Sequence, residues 1–167
     1  YYMDNPLADP SCVGIYLLSK EARKHVKVVL SGEGSDELFG GYNIYKEYYS
    51  LKPFSYLPEV IKCEVNKIAK SLPDIKGKNY LLRGTTKLKD RYIGNAKIFS
   101  NEEVKNIIYN YDENNTYSNI LSNLYEECDK NNYDNVTTMQ YIDMNTWLEG
   151  DILLKADKMS MAHSLEL

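Results

Sequence analysis

A short apolar segment that runs directly into a glycine-rich turn constrains the fold of this chain most. Val26-Lys27-Val28-Val29-Leu30-Ser31 is rich in β-branched residues and stops at a glycine, which predicts a buried strand over about 26–31. A helical pattern that begins at an Asp9-Pro10 cap precedes it, and helix-compatible sequence resumes at Asp36. Helix, strand, turn and helix in this order are typical of an α/β fold with a parallel sheet.

The rest of the chain is predicted to be mostly helical, because its apolar residues recur every three or four positions. A cap at Ser100 begins one of these helices, in which Ile107 and Ile108 are expected to face the interior. The predicted helices run over about 58–70, 80–88, 101–108, 120–128 and 136–165, the last with a break at Gly150-Asp151.

The predicted strand stands alone among these helices. A single parallel strand leaves its backbone N–H and C=O groups unpaired and its faces uncovered. The segment at 26–31 therefore either lacks its partner strands in this sequence or pairs with a second copy of the chain, as in a homodimer. Because the sequence starts at Tyr1 without a Met and stops at Leu167 inside an apolar pattern, we expect a piece of a longer protein.

The composition of the chain excludes several classes of function. With 167 residues it has the size of one domain, and a net charge of -4 offers no electrostatic basis for binding nucleic acid. No apolar run reaches the roughly 18 residues of a membrane span. Cys12, Cys63 and Cys128 are odd in number and form no CxxC pair, which favours reduced thiols and a cytoplasmic location over disulfides or zinc.

The turn after the predicted strand, Ser31-Gly32-Glu33-Gly34-Ser35-Asp36-Glu37, has the chemistry of a phosphate site. Without a Cβ, Gly32 and Gly34 let a ligand approach the backbone, whose N–H groups converge on such a turn. Carboxylates beside a phosphate are favourable when Mg²⁺ bridges them, and a second role open to Glu33 is that of a general base. The alternative is a turn in which Asp36 caps the next helix and the glutamates are solvated.

A second candidate segment near the end of the sequence is Asp157-Lys158-Met159-Ser160-Met161-Ala162-His163-Ser164. A lysine close to the turn would neutralise the charge of departing pyrophosphate and so lower the barrier to its release. The alternative for Lys158 is a solvated position on a helix. His163 has no partner four residues away, so a packed or surface histidine is favoured over a metal ligand.

Three segments of the sequence resemble the signatures of glutamine-hydrolysing asparagine synthetases. They are Asp4-x-Pro6-x-Ala8-Asp9-Pro10-Ser11, the segment from Ser31 to Tyr42 and the segment from Asp157 to Glu166. Their order and spacing are similar to those of the family, and the resemblance covers residues 1–167. It implies a synthetase domain with the α/β fold of the ATP-pyrophosphatase superfamily.

The resemblance also implies a reaction and its cofactors, ATP and Mg²⁺. ATP would adenylate the aspartate β-carboxylate to β-aspartyl-AMP and pyrophosphate, and glutamine-derived ammonia would then attack. Glu33 would support formation and ammonolysis of the aspartyl-AMP, Asp36 would hold Mg²⁺-pyrophosphate, and Lys158 would contact the same pyrophosphate. The ATP-binding residues implied by the resemblance are Ser31, Gly32 and Gly34.

The sequence departs from the family pattern in several places. It contains no Ser-Gly-Gly-x-Asp-Ser-Ser phosphate loop and no glutaminase domain, and Asn5 and Gly14 replace an acid and a proline. We therefore expect the isolated chain to be inactive, with the phosphate loop and the glutaminase domain upstream of 1–167. Two alternatives are a β-lactam synthetase-like cyclase, in which tyrosine is usual in place of Glu33, and a non-catalytic remnant that binds another protein.

Overall fold

The computed structural model describes residues 1–3, 7, 9–95, 97–99, 101–114 and 116–167, without the side chain of Asn101. The chain forms two compact units, a first unit of Tyr1–Gly41 with Asp143–Leu167 and a second unit of Tyr42–Ile142. The predicted Ser100 cap and the Asp4-x-Pro6-x-Ala8 segment with its Asn5 lie outside the described residues. Within the described ranges, no helix is both long and apolar enough to cross a membrane.

The described residues are mostly helical, as predicted. Their α-helices are α1 (Ser11–Ala22), α2 (Ser35–Phe39), α3 (Glu47–Ser55), α4 (Glu59–Ser71), α5 (Lys78–Thr85), α6 (Asn101–Ile107), α7 (Tyr117–Lys130), α8 (Asn135–Asp143) and α9 (Leu154–Met161). Two short 3₁₀ helices (Asn43–Lys46 and Leu88–Asp90) and a π-helix (Met144–Leu153) lie between them.

The first unit contains α1, α2, the π-helix and α9. In it α1 packs against α9, and the π-helix packs against both α2 and α9. The predicted start of α1 is correct to within one residue, because the N-cap is Pro10 and not Asp9. The Asp9 carboxylate accepts a hydrogen bond from the Ser11 amide at 2.8 Å. This helix ends at Ala22.

The strand predicted over about 26–31 is not confirmed, since the described residues there form no strand. Val28 makes one isolated parallel bridge to Glu166. The Val29 amide donates to the Glu166 carbonyl at 2.9 Å, and the Glu166 amide donates to the Lys27 carbonyl at 3.0 Å. A strand needs a ladder of such pairs along its length, and here the partner supplies a single residue. Val28 and Leu30 are consequently 62% and 99% exposed instead of buried.

The sequence predicted the later helices with two errors. The helices predicted at 58–70, 80–88 and 120–128 correspond to α4, α5 and α7. The break predicted at Gly150-Asp151 is wrong, because both residues lie inside the π-helix, which leads directly into α9. A π-helix widens the turn and lets the helical path continue past a glycine. Ile107 and Ile108 are 65% and 50% exposed instead of facing the interior, since α6 is short and ends at Ile107.

The second unit has its own hydrophobic core. Its buried members are Tyr45, Tyr92, Leu121, Tyr125, Met139 and Ile142. The phenol of Tyr125 donates a hydrogen bond to the Tyr92 carbonyl at 2.7 Å, which satisfies a polar group that would otherwise be expensive to bury. Helix α5 of the same unit packs against both α3 and α4.

The contact between α3 and α5 requires a glycine. A Cβ on Gly84 would lie 2.4–2.5 Å from three ring atoms of Phe54. We expect Gly84→Ala to lower the free energy of unfolding by about 1–2 kcal/mol, because overpacking outweighs the gain in helix propensity. Urea unfolding measures this change. The matched control is Gly14→Ala in α1, where a Cβ would meet nothing within 4 Å and stability should rise slightly. Equal effects of the two substitutions would contradict the packing argument.

Candidate active site

The glycine-rich turn is held in shape by its own hydrogen bonds. The Ser35 hydroxyl donates to the Gly32 carbonyl at 2.6 Å, and the Ser35 amide donates to the same oxygen at 3.1 Å. The Glu33 amide donates to the Ser31 hydroxyl at 3.4 Å. Ser35 therefore closes the turn, a role that the sequence analysis did not assign to it.

Gly34 is the residue of the turn whose conformation demands glycine. Its φ is 84°, in the left-handed region that residues with a Cβ rarely adopt, and it is the N-cap of α2. A Cβ there would also lie 3.4 Å from a methyl carbon of Leu148 in the π-helix. The turn thus rests on the π-helix, and Gly34 is buried while Gly32 and Ser31 are exposed.

The three acids of the turn have different environments. Glu33 and Asp36 are exposed, whereas Glu37 is only 1% exposed. The alternative in which Asp36 caps the helix is wrong, because the N-cap is Gly34 and Asp36 lies inside the first turn of α2. The expectation of two solvated glutamates is wrong for Glu37. The two exposed acids, Glu33 and Asp36, are those for which the sequence predicts a role in the reaction.

The pair Gly40-Gly41 positions the Asp36 carboxylate. Gly40 has a φ of 69° and ends α2, which turns the chain back toward the helix. The Gly41 amide donates to the Asp36 carbonyl at 2.9 Å. A Cβ on Gly41 would lie 2.0 Å from Asp36 Oδ1, so only glycine leaves the carboxylate in its observed place.

The second motif forms α9 and the chain that follows it. Lys158 lies on α9 and is half-buried, whereas the alternative expected a position exposed to solvent. The rings of His163 and Tyr16 lie 4.3 Å apart, which confirms a packed histidine. The parallel bridge from Val28 to Glu166 joins the segment that enters the turn to the end of this motif. Contact between Lys158 and pyrophosphate stays a prediction.

A buried cation that the sequence analysis missed lies one turn before Lys158. Lys155 is 7% exposed, donates a hydrogen bond to Asp9 and lies 3.0 Å from Asp151 Oδ2. Its ammonium also lies 5.6 Å from the centre of the Trp147 ring. Burial alone would lower the pKa of Lys155, but the hydrogen bonds with Asp9 and Asp151 outweigh it and raise the pKa. The spacing of four between Asp151 and Lys155 was the available sequence signal.

The same ion pair changes the acid stability of the first unit. The hydrogen bond from Lys155, with a second from the Ser11 amide, lowers the pKa of Asp9 from 3.8 to about 2. A lowered carboxyl pKa adds stability above the unfolded value, and this stability is lost as the pH falls through the folded value. Between about pH 4 and pH 2, Asp9→Asn should therefore remove about 2 kcal/mol of the pH dependence of unfolding.

Urea unfolding at several pH values measures this difference. Asp129→Asn, at an exposed carboxylate of α7, is the matched control and should keep the acid loss of stability. Parallel pH profiles for the parent chain and Asp9→Asn would contradict the linkage.

No group of three or more His, Cys, Asp or Glu residues that could hold a metal ion occurs in the part of the chain described. A complete protein cage for a cation is thus missing from this part. One exposed carboxylate beside a glycine turn fits the other mode of Mg²⁺ binding, in which one or two carboxylates share the ion with phosphate oxygens. Asp36 meets that requirement.

A family model described as asparagine synthase matches residues 1–167 of the chain. The chain belongs to the asparagine synthase family. Membership of this ATP-pyrophosphatase family implies an α/β fold, in which the bridge at Val28 is the one trace of sheet pairing in the described residues.

Curated asparagine synthetases match the whole length of this family member. "Asparagine synthetase (glutamine-hydrolyzing) 1" of Bacillus subtilis is 50% identical over 168 residues, which cover 100% of this chain and 26% of the relative. "Putative asparagine synthetase (glutamine-hydrolyzing)" of Mycobacterium bovis is 48% identical with the same coverage. The chain thus spans about a quarter of the length of the curated relatives it matches. No solved structure matches it.

Proposed function

We propose that this chain supplies part of the synthetase active site of a glutamine-dependent asparagine synthetase. The enzyme would transfer AMP from ATP to the aspartate β-carboxylate and release pyrophosphate, and ammonia from glutamine would then displace AMP to give asparagine. The observation that carries the proposal is the closed turn from Ser31 to Glu37, which presents an exposed Asp36 carboxylate beside Gly41. The names of the curated relatives support asparagine synthesis with glutamine, and the transfer of AMP is the step that the family resemblance implies.

The backbone of the turn is proposed to bind ATP. Ser31 and Gly32 are exposed, so their main-chain N–H groups are proposed to face ATP, while Gly34 is buried and sets the conformation of the turn. Glu33 is exposed next to them and is assigned to the formation and ammonolysis of the aspartyl-AMP. A carboxylate there would accept a proton from the attacking ammonia.

Two charged groups of the first unit, Asp36 and Lys158, are proposed to bind pyrophosphate. Asp36 would hold Mg²⁺, which when bound would neutralise part of the charge on the leaving pyrophosphate. Lys158 would contribute a second positive charge. Lys155 acts differently, because its ammonium is already held by Asp9 and Asp151 and fixes the start of α1 against α9.

The chain is proposed to act only with further segments of a longer enzyme. The relatives are about four times longer, as the 26% coverage implies, and the phosphate loop that the family requires does not occur in these 167 residues. The exposed Val28 and Leu30 beside the single bridge are the surface that neighbouring strands would cover. We therefore expect the isolated chain to form no asparagine.

The direct experiment mixes the longer enzyme with ATP, Mg²⁺, aspartate and ammonia and follows pyrophosphate and asparagine. Equal amounts of the two products are expected, with neither formed when aspartate is omitted. The isolated chain, assayed in parallel, should give neither. Asparagine formation by the isolated chain would overturn the proposed dependence on upstream segments, and ATP use without aspartate would overturn the proposed function.

The substitution Gly41→Ala tests the position of the Asp36 carboxylate. The new methyl group would occupy the place of Asp36 Oδ1, and the carboxylate must rotate away. Because a displacement of about 1 Å in a catalytic group costs up to about 100-fold, asparagine formation should fall by roughly 10-fold to 100-fold. Stability should change little, since a mobile side chain absorbs the clash. Gly150→Ala, where a Cβ meets nothing within 4 Å, is the matched control and should keep full activity. Full activity of Gly41→Ala would contradict the assignment.

A further inference from the structure

A cationic cleft lies in the second unit, which contains none of the residues assigned to the synthetase reaction. Its volume is about 170 Å³, and it is lined by residues of α3, α4, α5, α8 and the segment between α5 and residue 91. The cationic residues that line it are Lys52, Lys62, Arg83, Lys87 and Arg91. Five positive charges around so small a volume require an explanation in terms of a negative partner.

Acidic residues of the chain balance only part of the positive charge of the cleft. Glu47, with its side chain 6% exposed, accepts a hydrogen bond from Arg83 at 2.8 Å and another from Arg91. One carboxylate balances one of the two guanidinium groups, and the pairing fixes both of them in place. The buried Arg91 Nε has no hydrogen-bond partner among the described residues, so the donors of this arginine are not fully used.

Two of the three lysines that line the cleft add charge that no neighbouring acid holds in a close pair. Lys62 pairs with Glu59 at 2.9 Å. The ammonium groups of Lys52 and Lys87 make no hydrogen bond or close ion pair within the described ranges, and both residues are exposed. A structural ion-pair network explains Arg83 and Arg91. The charge of Lys87 adds to that of Lys62 in lowering the pKa of Glu59, but neither Lys52 nor Lys87 has a close ion-pair partner in the described ranges.

The remaining lining residues limit the size and chemistry of a ligand. Tyr48, Leu51 and Phe54 form an apolar wall, and Ser55, Thr86 and Asn135 add hydrogen-bonding groups. A cavity of about 170 Å³ is smaller than the pockets of about 300–1,000 Å³ that hold drug-sized ligands. The ligand is therefore an anion of a few non-hydrogen atoms. Guanidinium forks and ammonium groups around a single centre suit a phosphate, which carries its charge and its acceptor oxygens on one atom.

We propose that this cleft binds a small dianion of the phosphate class, either free phosphate or a small phosphomonoester. Lys52 and Lys87 bind its outer oxygens, and the Arg83 and Arg91 pair, held by Glu47, forms the floor. All of its residues belong to the second unit, and none of them is assigned to the proposed asparagine synthesis.

The test is calorimetric titration of the full chain with inorganic phosphate, at an ionic strength held constant with chloride. Saturable binding to the parent chain is expected. In Lys52→Met/Lys87→Met the affinity should fall about tenfold or more, since two charge-assisted contacts are lost. The matched control is Lys70→Met/Lys76→Met, which makes the same change of net charge at exposed lysines outside the cleft and should keep the affinity within twofold.

Further titrations separate the sources of the ligand and the class of anion. Binding of glycerol phosphate at least tenfold tighter than that of phosphate supports a phosphomonoester, and equal or weaker binding supports free phosphate. The proposal is overturned by absence of saturable phosphate binding, by equal loss in the cleft and control variants, or by binding of succinate in preference to phosphate. None of these outcomes depends on asparagine formation, so failure here leaves the proposed function untouched.

Discussion

The Asp36→Asn variant of the longer enzyme is expected to lose asparagine formation by about 100-fold or more. Asparagine has nearly the size of aspartate and keeps the fit against Gly41, so the change removes the charge and little else. Without that charge the site loses the proposed Mg²⁺ ligand and adenylation fails. Glutamine hydrolysis takes place at a separate active site in the proposed enzyme and should continue. Glutamate and asparagine, measured in one reaction mixture, report the two activities.

The control for this variant is Asp74→Asn. Asp74 is exposed in the second unit, and its substitution makes the same change of charge at a residue that is not part of the turn. Both products should form at the parent rates. Unimpaired asparagine formation in Asp36→Asn would contradict the metal assignment, and equal loss of glutamate and asparagine would show damage beyond the synthetase site.

The Lys155→Met variant is expected to lower the free energy of unfolding by about 3–5 kcal/mol. Methionine fills much of the same space, but the substitution leaves the carboxylates of Asp9 and Asp151, which are 22% and 11% exposed at their side chains, without their shared cation. Two uncompensated carboxylates in a desolvated site repel each other and lose their hydrogen-bond donor. Urea unfolding at neutral pH measures the loss.

Two further variants separate the lost ion pair from a change of packing. Lys20→Met, at an exposed lysine of α1, is the matched control and should change stability by less than about 0.5 kcal/mol. Lys155→Met combined with Asp9→Asn and Asp151→Asn removes all three charges and should recover a large part of the loss. A loss below about 1 kcal/mol in Lys155→Met, or no recovery in the triple variant, would contradict the ion-pair account.

Local sequence signals predicted those parts of the fold that depend on local interactions. The Asp9-Pro10 cap and the apolar spacing over 58–70 correspond to the start of α1 and to α4 (Glu59–Ser71). The spacing of apolar residues was insufficient where a segment needs a pairing partner from elsewhere in the chain to form a strand. The β-branched segment at 26–31 forms a single bridge because its described partner offers only Glu166. The sequence did not predict the π-helix either. A glycine such as Gly150 is compatible both with a helix break and with the wider turn of a π-helix, so the sequence does not distinguish them.

The sequence suggests the residues of the candidate site but not the residues that hold them in place. Ser31, Gly32, Glu33 and Asp36 follow from the glycine spacing and the acids of one short turn. The role of Gly41 depends on a backbone reversal that brings it to the Asp36 carboxylate, and this requires the left-handed Gly40. The pair of Lys155 with Asp9 joins residues 146 positions apart, a distance at which no local pattern applies.

The most direct test of the proposed function is aspartate-dependent exchange of labelled pyrophosphate into ATP by the longer enzyme. Exchange reports reversible formation of the aspartyl-AMP and needs neither ammonia nor glutamine. We expect exchange that requires both Mg²⁺ and aspartate, is lost in Asp36→Asn and is retained in Asp74→Asn. Exchange that proceeds without aspartate, or that Asp36→Asn supports at the parent rate, would contradict the proposal that this turn handles pyrophosphate in asparagine synthesis.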